Sequence, residues 1–211
     1  MGEFDLSFKI ILLGDCGVGK TRLIKELSKK NYTPVSSCCC YSFTPNSNVD
    51  LEFHRYGKRI SVKIIDTGGQ EKYRSMTSSY FRGCDGCLLM FSVNRKETFE
   101  HIITWYESLQ EYCPATTFTT VLIGTLTGTL TDDSNCQIPQ ERIHKMAEHI
   151  GAPYIEMDLL NQESIIHGLE EVVDILSRKY TFKRPLYDDI KQKSINLEKS
   201  EIKPSKSLCG C

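Results

Sequence analysis

The sequence lacks the features of membrane-spanning, secreted and nucleic-acid-binding chains. None of its apolar runs approaches the roughly 18–20 residues needed to cross a bilayer. Residues 1–7 are acidic, unlike the basic start of a signal peptide. The formal net charge of −1 provides no overall positive field to attract nucleic acid. We therefore expect a cytosolic chain without a nucleic-acid partner.

Cysteine is abundant, but its placement does not predict a disulfide framework. The chain has 10 cysteines, and thiols stay reduced in the cytosol. Zinc favours four thiolates, yet the adjacent cysteines at 38–40 offer poor ligand geometry. The pair in Cys84-Asp-Gly-Cys87 has no matching second pair. Cys16, Cys87 and Cys113 lie in or beside apolar stretches, so we expect them to pack as small hydrophobic side chains.

Hydrophobic patterning predicts an α/β fold. The predicted strands are 8–13, 49–55, 60–65, 87–93, 118–123 and 154–157, and the predicted helices are 21–30, 97–112, 139–150 and 164–180. Their alternation indicates a six-stranded, mostly parallel sheet with one antiparallel hairpin and helices on both faces. Residues 31–48 show no periodicity and predict a long exposed loop, which in a compact domain is usually functional. We expect one domain over 1–182 and a flexible, polar tail over 183–211.

A glycine-rich motif follows the first predicted strand. The segment Gly14-Asp15-Cys16-Gly17-Val18-Gly19-Lys20-Thr21 matches G-x-x-x-x-G-K-[ST]. This pattern arises by chance on the order of 1% of the time in a chain of about 200 residues. Its backbone N–H groups and the following helix N-terminus suit phosphate oxygens. The motif predicts a P-loop fold in which Lys20 reaches the β- and γ-phosphates and the Thr21 hydroxyl ligates Mg²⁺.

A second polar motif lies at the end of the predicted strand 60–65. It reads Asp66-Thr67-Gly68-Gly69-Gln70-Glu71. A carboxylate at this strand end approaches the magnesium ion of a phosphate loop, usually through water. Gly69 permits close backbone approach to a γ-phosphate, and the Gln70 amide can orient an attacking water. Asp66 is therefore a predicted metal residue, Gly69 a nucleotide-binding residue and Gln70 a catalytic residue.

These motifs resemble those of Ras-type small GTPases, and more closely those of the Rab family of membrane-traffic GTPases. Further similar stretches are Lys72–Thr77, Ser79–Gly83, Phe91–Asn94 and Thr98–Glu100, and the likeness covers about residues 6–181. The resemblance implies a monomer that binds GTP or GDP with Mg²⁺. It also implies an exchange factor, an activating protein and effectors that contact the switch regions.

The chain departs from this family at both base-recognition motifs. Asn-Lys-x-Asp is expected after Gly124, but Thr125-Leu126-Thr127-Gly128 stands there, and Met157-Asp158-Leu159-Leu160 replaces Ser-Ala-Lys. Hydrogen bonds to a charged group contribute roughly 1.5–3 kcal/mol each. In the family, the Asp of this motif accepts two such hydrogen bonds from guanine. Losing both would weaken guanine binding by about two to four decades. No spacing argument supports Asp132 or Asp133 as the replacement carboxylate.

The first switch also departs from the family. The family has a magnesium-binding threonine in this switch. Thr44 is the nearest candidate for it here, but the usual Thr-Ile-Gly context is missing. Pro45 favours an extended backbone at Thr44. Ile65 stands where Rab proteins usually carry Trp in an effector-facing apolar patch. Either the partner surface is altered there, or Ile65 simply packs under the switch.

The C-terminus resembles the doubly prenylated end of Rab proteins. It reads Leu208-Cys209-Gly210-Cys211, without a C-a-a-X box. Two lipids on Cys209 and Cys211 would anchor the chain stably where one would not. The resemblance implies a prenylation escort partner and attachment to the cytoplasmic face of an endomembrane, with a cytosolic pool.

Three hypotheses follow from the sequence. The first is a divergent Rab-like GTPase that acts as a membrane-anchored switch in vesicle traffic. The second is a pseudo-GTPase that keeps the Rab surface and lipid anchor as a scaffold. The third is a phosphate-loop protein that accepts any base.

Overall fold

The computed structural model describes residues 4–28, 42–44, 48–67, 81, 83–112, 118–126 and 138–180, with the backbone alone at 42–44 and 112. The chain divides into two units, Met1–Leu176 and Ser177–Cys211. The described residues of the second unit, 177–180, are helical. All strands and the sites discussed below lie in the first unit.

Strands and helices alternate along the chain, as the patterning predicts. The strands are β1 Leu6–Leu13, β2 Ser42–Thr44, β3 Asn48–Arg55, β4 Lys58–Asp66, β5 Gly86–Ser92, β6 Thr119–Leu126 and β7 Tyr154–Asp158. The helices are α1 Lys20–Leu27, α2 Lys96–Glu100, α3 Ile102–Tyr112, α4 Gln140–Ile150 and α5 over 162–180. None of the helices in these described ranges combines the length and apolar character needed to cross a membrane.

The strands form one mixed sheet in the order β2-β3-β4-β1-β5-β6-β7. Strand β1 pairs in parallel with β4 and β5, and β6 pairs in parallel with β5 and β7. Strand β3 runs antiparallel to β4 and β2. The predicted mostly parallel sheet with an antiparallel hairpin is confirmed. The short strand β2 adds a seventh member inside the segment 31–48, because three residues are too few to show a periodicity.

The core has two apolar layers, one on each face of the sheet. Along β1, Phe8, Ile10 and Leu12 belong to one buried cluster, whereas Ile11 and Leu13 belong to the other. Successive side chains of a strand point to opposite faces, so both faces of β1 are covered. The first cluster contains residues of α1 and α5, and the second contains residues of α3 and α4. Burial on both faces explains the continuous apolar run of β1.

The predicted helix over 97–112 is divided into α2 and α3 at His101. The His101 N–H still donates to the Glu97 carbonyl at 3.1 Å, so the prediction of helical structure is correct but its continuity is not. At the start of α2, the Thr98 hydroxyl accepts a hydrogen bond from the Ser92 N–H at 3.0 Å and donates to the Arg95 carbonyl at 2.7 Å. This turn fixes the segment that follows β5 beside the end of the sheet.

Strand β5 begins at a fixed point on β1. The Asp85 N–H donates to the Lys9 carbonyl at 2.8 Å, and the Lys9 N–H donates to the Asp85 carboxylate at 2.8 Å. The Thr119 N–H donates to the Asp85 carbonyl at 2.9 Å, which also ties the start of β6 to this point. The strands therefore enter the sheet in a fixed register, and their carboxyl ends meet at one edge.

Candidate nucleotide-binding site

The glycine-rich loop connects the end of β1 with the start of α1. Gly14, Gly17 and Gly19 have φ values of 135°, 79° and 102°, which side-chain-bearing residues rarely adopt. A Cβ atom on Gly14 would lie 2.0 Å from the Met90 carbonyl oxygen. Only glycine fits there, because β5 passes directly beside the loop. The first turn of α1 has neither an acidic residue nor a side-chain cap, so its backbone N–H groups suit an anionic ligand.

Lys20 is the first residue of α1, and its side chain is buried against the loop, with a relative exposure of 4%. Its ammonium group donates to the Gly14 carbonyl at 2.7 Å and to the Asp15 carbonyl at 2.8 Å. These contacts hold a buried positive charge across the start of the loop, next to the N-terminus of α1. The arrangement suits a polyphosphate, whose negative charge would be offset by the ammonium group.

Thr21 and Asp66 meet at the edge of the sheet. The Thr21 hydroxyl donates to the Asp66 carboxylate at 2.7 Å. The register of β1 with β4, which pairs Leu12 with Asp66, brings the carboxylate to the loop. The buried Thr67 hydroxyl donates to the Leu12 carbonyl at 3.0 Å and fixes this strand end. A hydroxyl and a carboxylate oxygen are ligands that Mg²⁺ prefers, so the pair fits that metal.

Several predicted site residues lie outside the described residues. Gly69 and Gln70 are among them, and so are Cys209 and Cys211. Thr44, the last residue of β2, is described only by its backbone, which pairs with Asn48 of β3. The roles assigned to these side chains therefore remain predictions.

Thr125, the first residue of the altered base-recognition motif, contacts the phosphate loop. Its fully buried hydroxyl lies 2.6 Å from the Val18 carbonyl oxygen and 3.0 Å from the Phe91 carbonyl oxygen. It thus connects the loop, β5 and β6. In the sequence, Thr125 is visible only as a departure from the family's base-recognition motif. Its contact with the loop could not be predicted, because that contact depends on β6 being the second strand from β1.

The second altered motif is mostly apolar, and two of its polar groups bond to nearby backbone groups. Leu159 is buried, and its N–H donates to the Leu126 carbonyl at 2.9 Å. The Asp158 carboxylate accepts a hydrogen bond from the Leu160 N–H at 2.8 Å, so its nearest described partner lies in its own turn. Leucines therefore lie at the end of β6 and directly after β7, at positions 126, 159 and 160. The effect on guanine recognition stays a prediction.

The outer side of the phosphate loop is held by residues that follow β5. Both carboxylate oxygens of Asp15 accept hydrogen bonds, from the Trp105 indole N–H at 2.8 Å and from His101 Nδ1 at 2.6 Å. The Arg95 guanidinium donates to the Cys16 carbonyl at 3.0 Å. Sequence reasoning missed these contacts, since no spacing rule connects residues so far apart in the chain.

The cysteine expectations hold at one of two testable positions. Cys87 is buried in the second core cluster, as predicted, and Cys84 is half-buried. Cys16 is exposed, so the expectation of apolar packing there is wrong, because it lies in the loop rather than in the adjoining strand or helix. Ile65 is half-buried and packs against the second core cluster. Within the described ranges, no three His, Cys, Asp or Glu side chains are grouped to hold a metal.

Known proteins are similar to this chain in sequence. A sequence model of the Ras family matches residues 9–178. The Ras-related protein RABA2a of Arabidopsis thaliana is 32% identical over 187 residues, which cover 84% of this chain and 80% of that protein. The GTP-binding protein ypt2 of Schizosaccharomyces pombe is 30% identical over 157 residues, which cover 73% of each chain. RABA4b of Arabidopsis thaliana is 28% identical over 209 residues, which cover 99% of this chain and 85% of that protein.

The sheet order, the phosphate loop and the match over residues 9–178 establish that the chain belongs to the Ras family of small GTPases. Its similarity to RABA2a and ypt2 places it, within these proteins, in the Rab family. Members of this family in general use GTP, GDP and Mg²⁺.

Proposed function

We propose that this protein binds guanine nucleotide with Mg²⁺ and acts as a membrane-anchored switch in vesicle traffic, hydrolysing GTP slowly. The observation that carries the proposal is the phosphate loop, where the Lys20 ammonium group is buried and the oxygens of Thr21 and Asp66 are 2.7 Å apart. A turn without a ligand would have no need both to bury a lysine and to pair the following threonine with a carboxylate.

The proposal assigns roles to the residues of the loop and to Asp66. The N–H groups of Cys16 to Thr21 bind phosphate oxygens, and Lys20 offsets the charge on the β- and γ-phosphates. Thr21 and Asp66 would hold the metal. When bound, Mg²⁺ neutralises charge on the same phosphate oxygens.

The remaining parts of the proposal rest on the sequence. Gln70 orients the water that attacks the γ-phosphate in line, and the reaction is slow unless a partner supplies an arginine. The two switch segments order around the γ-phosphate and relax after its loss. Prenylation of Cys209 and Cys211 tethers the chain to the cytoplasmic face of an endomembrane, after delivery by an escort protein.

Relaxed base selectivity is the second candidate, distinct from a scaffold that binds no nucleotide. It is favoured by the leucines at the ends of β6 and β7 and by the use of Thr125 to hold the loop instead of a base. In this case the phosphates would supply most of the binding free energy, and GTP and ATP would bind with similar affinities.

Identification of the bound nucleotide tests both candidates. The full chain is purified in Mg²⁺, the ligand is released by denaturation and identified by chromatography, and GTP and ATP affinities are then measured. We expect bound guanine nucleotide, with a GTP preference over ATP about two to four decades smaller than that of RABA2a. A protein that arrives empty and ignores added GTP and Mg²⁺ would support the scaffold. Equal GTP and ATP affinities would support a site that accepts any base.

Replacing Gln70 by leucine tests the hydrolytic step. We expect single-turnover GTP hydrolysis to slow by roughly 10- to 100-fold, because leucine can neither donate nor accept the hydrogen bonds that orient water. The affinity for GTP should change little. The matched control is Gln140→Leu, since the Gln140 amide bonds to Glu156 at 3.2 Å and to Tyr154, neither of which belongs to the phosphate loop. An unchanged hydrolysis rate in Gln70→Leu would rule out the assigned role.

A further inference from the structure

We infer that four side chains outside the phosphate loop position it for polyphosphate and thereby support nucleotide binding that does not depend on the base. These loop-anchoring residues are Arg95, His101, Trp105 and Thr125. The inference rests on the proposed nucleotide binding, and it identifies positioning residues for that site.

Two of these four side chains, Trp105 and His101, bond to Asp15. A carboxylate in a loop that binds polyphosphate would repel the ligand unless it were turned away or neutralised. Here the Trp105 indole N–H and His101 Nδ1 each engage one carboxylate oxygen, at 2.8 and 2.6 Å. The Asp15 side chain is only 22% exposed despite its position in a surface loop. Its charge is thus used to tie the loop to α3 and to the turn before it.

Two further residues hold the rest of the loop. Arg95 donates to the Cys16 carbonyl at 3.0 Å, and its guanidinium lies 3.2 Å from where a Cβ on Gly17 would be. Thr125 reaches the Val18 carbonyl at 2.6 Å from the buried side. The loop is therefore held at three positions by side chains that follow β5 or lie in β6.

Holding the loop in this way lowers the cost of binding. Ordering a flexible glycine-rich segment costs conformational entropy, and a segment that is already ordered avoids that cost when its ligand arrives. None of these contacts involves a base, so their contribution is equal for guanine and adenine nucleotides. A chain with altered base-recognition motifs can keep useful affinity in this way.

The Asp15–Trp105 contact gives the first test. In the full chain with Mg²⁺, Trp105→Phe keeps the aromatic ring but removes the N–H donor. We expect the dissociation rates of GDP and ADP to rise by the same factor, about 5- to 10-fold, and Asp15→Ala to have a similar effect. The double variant should add little to either single change. The control is Ser108→Ala, which removes a hydroxyl bonded to the Thr104 carbonyl on the same helix.

Two results would overturn this inference. If Asp15→Ala tightened nucleotide binding, the dominant effect of the carboxylate would be repulsion of phosphate and not positioning. If Trp105→Phe lowered the melting temperature yet left both dissociation rates unchanged, the contact would be structural only.

Binding of Mg²⁺–tripolyphosphate should weaken by the same factor as that of GDP, because tripolyphosphate has no base.

The Thr125 contact gives an independent test. Thr125→Val removes the hydroxyl at nearly constant volume and should raise the dissociation rate about 10-fold, whereas Thr125→Ser should restore it. Thr119→Val, at the buried opposite end of β6, should leave the rate unchanged.

Hydrogen exchange of the amides at 15–19 provides a readout without nucleotide, and it should be faster in both Thr125→Val and Trp105→Phe. Unchanged exchange would contradict the inference, whereas a wild-type chain that binds no nucleotide would contradict only the proposed function.

Discussion

Replacing Lys20 by alanine is expected to weaken binding of a Mg²⁺–nucleoside triphosphate by about two to four decades. The ammonium group is buried at 4% exposure and already faces the start of the loop. Its two hydrogen bonds to phosphate oxygens would contribute roughly 1.5–3 kcal/mol each. The loss should be the same for GTP and ATP. Titration calorimetry with the full chain measures it.

The control for this change is Lys145→Ala. Lys145 is an exposed residue of α4 that pairs with Glu141 at 2.6 Å, and exposed pairs contribute less than about 1 kcal/mol. Its replacement should leave nucleotide affinity unchanged. If Lys20→Ala bound nucleotide as tightly as the unmodified chain does, the loop would not be a phosphate site.

Replacing Gly14 by alanine is expected to lower the free energy of unfolding by roughly 2–6 kcal/mol. The φ of 135° and the 2.0 Å approach of the new Cβ to the Met90 carbonyl oxygen act together. Backbone strain and overpacking each cost about 1–3 kcal/mol. Because Met90 belongs to β5, the contact would push the loop away from the sheet. Denaturant unfolding measures the loss of stability, and nucleotide binding should fall with it.

Gly57 provides the matched control for Gly14. It also has a positive φ, 70°, but a Cβ there would meet no atom within 4 Å. Gly57→Ala therefore isolates backbone strain, and it should cost only about 1–3 kcal/mol. Equal losses in the two variants would show that the contact with Met90 contributes nothing.

The sequence predicts most of the fold because burial on both faces leaves a clear pattern. The run at Phe8–Leu13 is apolar throughout, and the helices carry regular apolar spacing. Two features escaped prediction for the same physical reason. Strand β2 has three residues, and the break between α2 and α3 involves one residue, His101, so neither changes hydrophobic periodicity over a useful window.

The candidate site is predicted less completely than the fold. The loop and Asp66 follow from a local motif and from a strand end, both visible in one stretch of sequence. The contacts of Trp105 with Asp15 and of Thr125 with Val18 depend on the order in which the strands assemble. Those pairs are 90 and 107 residues apart. Pattern reasoning has no rule that joins them, so only the three-dimensional structure identifies them.

The attachment of Thr67 and of Asp85 to one strand has a practical use in building chimeras. Thr67 bonds to Leu12, and Asp85 bonds to Lys9, so the chain leaves and rejoins the sheet at two fixed points of β1. Residues 68–80 can therefore be exchanged for those of RABA2a while the buried Phe81 and both attachment points stay native. Partner preference transferred by such a graft would be a property of that segment alone.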